Sequence, residues 1–255
     1  MATVTLAPGF LPLSGLGAHR AKLVSPASAS PASASPVHAF GALAEIDGFR
    51  PRLRGRLHQL CAAASLPAGL HLVSGAQAAD RPAAVAYALT WSAMFATSAC
   101  YHRLAHSPTA RRRMRRADHS MIFVHIGGAA TALALSSLSA LLAVLVLAGV
   151  WSGVAGGIII KLVSLSDGAS AGSWLYGVLG ASQALALPAI AANLTSTQLV
   201  LLVASGAAYA IGAVLFFKKR PDPYPTVFGY HEVWHCFTLV GGLCQYLLLV
   251  QLLHG

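Results

Sequence analysis

Leu138-Ser139-Ala140-Leu141-Leu142-Ala143-Val144-Leu145-Val146-Leu147-Ala148-Gly149-Val150-Trp151-Ser152-Gly153-Val154-Ala155-Gly156-Gly157-Ile158-Ile159-Ile160 runs without a charged residue and is closed by Lys161. A helix rises ~1.5 Å per residue, so about 20 apolar residues cross the hydrocarbon core of a bilayer. This run is long enough, and it has companions on both sides. Comparable stretches lie at 83–104, 172–192, 197–217 and 229–253. A shorter one at 119–136 holds His125, and a more polar one at 57–77 holds His58, Gln59 and His71. The expected fold is all-α: a seven-transmembrane helical bundle over residues 57–253, with no soluble domain of useful size left over. Composition agrees, because only 9% of the 255 residues are charged, against about 25% in a soluble domain. Gly153 and Gly157 stand at GxxxG spacing, which lets helices approach closely in lipid.

The net charge of +10 reads as a topology signal. Arg50, Arg52, Arg54 and Arg56 precede the first span, and Arg103, Arg111, Arg112, Arg113, Arg115 and Arg116 fall near the connection of the second and third. Lys161 follows the fourth span, and Lys218, Lys219 and Arg220 follow the sixth. With seven spans all of these share one side, and Arg81 stands alone on the other. By the positive-inside rule the N-terminus faces the cytosol or stroma. Basic residues dispersed in short loops do not make a nucleic-acid surface, so no nucleic-acid partner is expected. Cys61, Cys100, Cys236 and Cys244 form no CxxC and sit in apolar runs as small packing residues, so no disulfide framework is expected.

Residues 1–45 differ in kind. They are rich in Ala, Ser and Pro, include the repetitive stretch 25–36, and hold no acidic residue before Glu45. That is the composition of an organellar transit peptide, here read as a plastid one, which places the protein in a chloroplast membrane. A disordered cytosolic tail has a similar composition and leaves the plasma membrane or an endomembrane as the alternative.

Two short patterns carry the chemistry: Ser98-Ala99-Cys100-Tyr101-His102 and His231-Glu232-Val233-Trp234-His235. Each sets two polar side chains one helical turn apart on one face. An ionisable group inside a membrane span is costly and is a functional candidate by default. His102 lies at the basic-side end of the second span, Asp118 at the start of the third, and His231 and His235 in the first turns of the seventh. Hydropathy and charge alone therefore bring these groups to one membrane depth. Three histidines with oxygen groups nearby suit zinc.

The chain resembles the hemolysin III family, within the superfamily that includes the progestin and adiponectin receptors and the alkaline ceramidases. The resemblance covers roughly residues 57–253. Its carriers are Ser98-x-x-x-His102, Arg115-Arg116-Ala117-Asp118-His119-Ser120, Ala208-Tyr209-Ala210-Ile211-Gly212-Ala213 and Phe228-Gly229-Tyr230-His231-Glu232-Val233-Trp234-His235. It implies seven helices with a cytoplasm-facing N-terminus and zinc held by His102, His231 and His235. It also implies that Asp118 and Ser98 lie close by and hold or activate a water. One stretch departs from the family: Gly128-Ala129-Ala130-Thr131-Ala132 stands where a Gly-Thr-Tyr-Thr-Pro stretch is usual.

Zinc with three protein ligands keeps an open position for water and lowers its pKa to about 7. Asp118 as base and Ser98 as orienting hydroxyl then make the expected function a metal-dependent hydrolase of lipid amide or ester bonds, with membrane lipid as the partner and substrate. The alternative is a heptahelical receptor with a lipid or other ligand and a structural zinc. His231-Glu232-x-x-His235 also matches the HExxH metalloprotease pattern with Glu232 as base, but no acidic third ligand follows, and Glu232 is expected to face solvent or lipid headgroups. The pore-forming role that the family name suggests has little support in a single heptahelical unit. His58, His71, His106 and His254 are expected at the interfaces, His125 in a structural role, and His119 outside the metal set.

Overall fold

The structure, a computed structural model, describes residues 50–163 and 174–254. The transit-peptide reading of residues 1–45 lies outside them. The described elements are seven helices: α1 Arg56–Gly75, α2 Arg81–Leu104, α3 Pro108–Ser137, α4 Ala140–Val163, α5 Trp174–Ala191, α6 Ser196–Lys218 and α7 Tyr230–Leu253. Six of them, α2 to α7, are long and apolar enough to cross a membrane; α1 is too polar to count by composition.

Contacts at the helix ends show that the helices alternate in direction. At the basic end, Arg50 Nη1 donates to the carbonyl of His102 near the end of α2 (2.8 Å). The Tyr176 hydroxyl at the start of α5 donates to the carbonyl of His119 in α3 (2.9 Å). Phe216, late in α6, meets His231, early in α7, with ring centroids 5.2 Å apart. At the opposite end His254 Nε2 lies 3.2 Å from the carbonyl of Leu72, and Asn193 Nδ2 donates to the carbonyl of Ser137 (3.0 Å).

Two packed clusters hold the helices together. Leu72, Tyr87, Trp91, Phe95, Leu249 and Leu253 join α1, α2 and α7. Phe123, Val150, Val154 and Leu179 join α3, α4 and α5. The outward faces are apolar too: Leu141 is 72% exposed, Leu145 61% and Val200 65%. Water would penalise such a surface and lipid does not. In lipid, burying one more leucine gains little, so close packing and satisfied polar groups carry the assembly. α1 shows this directly. Its buried stripe, His58, Cys61, Ser65, Gly69 and Leu72, includes a histidine and a serine, while Leu60, Leu66 and Leu70 point outward.

Two boundaries differ from the sequence reading. α3 begins at Pro108, not near 119, with the Ser107 hydroxyl accepting from the Ala110 N–H (3.1 Å). A serine cap followed by proline at the first helical position is a strong start signal. The arginines at 111–116 are therefore helical, and Asp118 lies in the third turn rather than at the start. Hydropathy marks where apolar residues begin, and α3 begins earlier. The second difference is in α5. It runs as Trp174–Ser182, a 3-10 turn Gln183–Ala186 and Leu187–Ala191. Pro188 has no N–H to give and its ring crowds the carbonyl of Ala184, four residues back, so the turn before it tightens.

Candidate metal centre

α2 and α7 supply the centre. Along α2 the buried stripe Tyr87, Trp91, Phe95, Ser98 and His102 faces inward, so the spacing that packs the helix also delivers Ser98 and His102. His231 and His235 occupy the first two turns of α7. Each of His102, His231 and His235 offers a ring nitrogen, and these nitrogens all lie within 4.8 Å of one another. The rings of His231 and His235 are 4.7 Å apart and nearly perpendicular at 80°, and His102 meets His231 at 4.9 Å and 86°. Tetrahedral zinc with Zn–N of ~2.0–2.1 Å needs ligand nitrogens about 3.3 Å apart, so modest ring rotations close the set.

The residues fit a metal on their own evidence. His102 Nε2 and His235 Nδ1 are buried polar atoms with no hydrogen-bond partner among the described residues. A buried polar atom is normally paired, and leaving it bare costs about 1–3 kcal/mol. A bound cation satisfies nitrogen lone pairs that converge in this way.

The backbone around the trio is built for close approach. Gly55, just before α1, has φ +77°, a left-handed conformation that favours glycine, and a Cβ there would stand 2.5 Å from His102 Cβ. The turn it makes carries Arg50 and Arg54 to the site. Arg50 also lies over the Tyr101 ring at 5.6 Å. Its burial, together with the positive charge of Arg111, holds its guanidinium below the usual arginine range.

Ser98 of α2, 3% exposed, and Asp118 of α3 lie near each other. Asp118 is not one of the three converging groups.

Glu232 is a correction. It does not face solvent or headgroups: it is 1% exposed, Arg54 Nε donates to its Oε1 as an ion pair, and its Oε2 accepts from the Gly229 N–H at 2.8 Å. The carboxylate reaches back to cap its own helix while binding the segment before α1. A glutamate in the first turn favours both the free N–H groups and the helix dipole, which explains its position.

His58 is a second correction. Expected at the interface, it is buried and lies against His235. The signal was present: His58, Cys61, Ser65, Gly69 and Leu72 repeat at three- and four-residue spacing, which turns the histidine inward. Lys161 is also buried, with its amine 5.2 Å from the Tyr176 ring. His125 is buried beside Tyr87, ring centroids 5.6 Å apart, and is outside the converging set, as is His119. His71 and His254 meet each other at the far end, 5.1 Å apart. Where the chain departs from the family, α3 continues unbroken through residues 128–132. The hydroxyl that survives, Thr131, donates to the Gly127 carbonyl (2.8 Å) and accepts from Trp151 Nε1 (3.0 Å).

A family model described as "Haemolysin-III related" matches residues 48–246. "Hemolysin-3" of Bacillus cereus is 28% identical over 194 residues, covering 74% of this chain and 85% of that protein. "Hemolysin-3 homolog" of Bacillus subtilis (strain 168) is 28% identical over 153 residues, 60% of this chain and 68% of that protein. No solved structure matches.

Proposed function

The chain belongs to the haemolysin III-related family of integral membrane proteins, and from that premise we propose that it is a zinc-dependent hydrolase of lipid amide or ester bonds. The observation that supports this reading is the convergence of His102, His231 and His235 from two helices far apart in sequence, with their nitrogens within 4.8 Å and Ser98 one turn before His102 on the same buried face of α2.

His102, His231 and His235 would hold the ion. Three protein ligands leave a fourth position open, and zinc there supplies Lewis acidity toward water and toward a carbonyl oxygen. The remaining work falls to the chain. Asp118 accepts the proton of the attacking water at a carboxylate oxygen. The Ser98 hydroxyl fixes the orientation of that carboxylate. Arg50 and the arginines at 111–116 keep the basic end of the bundle positive, which favours a lipid with an anionic headgroup. The tightly packed helices around the trio exclude bulk water. The substrate is a lipid because the centre lies within helices of membrane-spanning length. In this reading the basic end faces the cytosol or stroma, and a plastid membrane is the location.

A second reading is a receptor with structural zinc. What favours it is that the ligands come from two helices, so an ion would pin α2 to α7 whatever else it does. The HExxH protease reading gains nothing, because the Glu232 carboxylate is already engaged by Arg54 and Gly229. The test is metal analysis of the purified full-length protein together with a screen of lipid amides and esters. About one zinc per chain with turnover supports the hydrolase. One zinc per chain with no turnover across the screen overturns it in favour of the receptor.

A further inference from the structure

One imidazole outside the metal set is held on three sides. His58, in the first turn of α1, is 4% exposed. Its ring lies flat on that of His235, with centroids 3.7 Å apart and planes 14° from parallel. Phe95 of α2 meets it edge-on at 5.1 Å and 61°. Its Nε2 is 3.2 Å from Thr238 Oγ1.

The hydrogen bonds define which nitrogen carries the proton. The Thr238 hydroxyl has one hydrogen, and it donates that to the carbonyl of His235 at 2.9 Å. Toward His58 the same oxygen can only accept, so the proton of His58 sits on Nε2 and Nδ1 is bare. His58 is thereby locked in both tautomer and ring plane by a residue on the same helix as His235.

His235 itself lacks such a lock. A metal-binding histidine usually has its ring orientation set by a hydrogen bond from its second nitrogen. Neither ring nitrogen of His235 has a hydrogen-bond partner among the described residues, so whichever of them takes the ion, the other supplies no lock. What limits rotation of its ring is the flat face of His58. We infer that His58 is a positioning residue of the metal centre: it sets the plane of the His235 ring through the stack, and Thr238 holds His58 in place to do so. This rests on the metal reading above. It also gives α1 a role at the centre, although it contributes none of the three converging nitrogens, and accounts for a histidine on the inner face of that helix.

The test uses the full-length protein with cobalt(II) as a spectroscopic probe, and metal affinity by competition with a chelator. His58→Ala should weaken affinity about tenfold to a hundredfold, the usual effect of losing an orienting partner, and should shift the cobalt absorption bands. His58→Phe keeps a flat ring and should retain more affinity than the alanine variant. Thr238→Val removes the hydroxyl at constant shape and should move the bands; Thr238→Ser should restore them. Wild-type affinity and bands in His58→Ala overturn the inference, as does a phenylalanine variant no better than alanine. If His58→Ala does not fold, identical bands in Thr238→Val, Thr238→Ser and wild type overturn it instead. His102→Ala distinguishes the two layers: a wild type that binds no cobalt, or a His102→Ala variant that binds it equally well, sinks the metal reading itself.

Discussion

Arg54 and Glu232, 178 residues apart in the chain, form an ion pair that joins the segment before α1 to the first turn of α7. The glutamate side chain is almost wholly buried and the arginine is 17% exposed. The pair closes the basic end of the bundle beside the histidine trio and occupies the one acidic group of the HExxH pattern.

Glu232→Gln should therefore act on stability. It leaves Arg54 without its anion and weakens the bond to the Gly229 N–H. The expected loss is about 1.5–3 kcal/mol, the range for a hydrogen bond to a charged group, and less than for a fully buried pair because Arg54 keeps some solvent access. Thermal unfolding in detergent measures it. Lipid hydrolysis by the folded, zinc-loaded variant should stay within a few-fold of wild type; complete loss of activity would move the base from Asp118 to Glu232.

Asp118→Asn should show the opposite profile. The amide keeps the shape but cannot accept the proton. Hydrolysis should fall roughly 10²-fold or more with zinc content unchanged. An asparagine variant of wild-type activity removes Asp118 from the chemistry.

His102→Ala, His231→Ala and His235→Ala should each lower bound zinc well below one equivalent per chain, as measured by elemental analysis after exhaustive dialysis. The three nitrogens converge on one point, so removing any one leaves two ligands, too few for a stable zinc site. Full retention in all three variants rules out the centre as drawn.

Gly157 and Gly153 should tolerate alanine unequally. A Cβ at Gly157 would stand 2.5 Å from the Phe123 ring, and one at Gly153 would stand 2.7 Å from Leu179 Cδ1. Phe123 is fully buried and a rigid ring cannot yield, whereas a leucine methyl can rotate aside. Gly157→Ala should cost about 1–3 kcal/mol, the range for overpacking, and Gly153→Ala less. Equal thermal midpoints for the two variants would contradict the close approach of α3 and α4.

A fluorescent protein fused to residues 1–44 should enter plastids, since this acid-free, Ser- and Ala-rich segment has transit-peptide composition. Cytosolic or secretory fluorescence refutes that location and leaves the metal centre untouched.

The sequence by itself determined the seven helices of the described residues and their approximate limits, because the cost of placing charge in lipid is local and shows in hydropathy. It also brought His102, His231 and His235 together, since charge sidedness and helical spacing assign each a depth and a face. Those two coordinates do not specify what lies opposite each face, and the remaining features depended on that. The start of α3 at Pro108 was hidden because charged residues extend a helix beyond its apolar part. The Glu232 partner was hidden because Arg54 reaches it across the fold. His58 looked like an interface residue because α1 is not apolar enough to count as a span by composition; the histidine instead faces inward, onto His235. Which groups meet across helices is fixed by the crossing of α1, α2 and α7, and that crossing exists only once the whole bundle has packed.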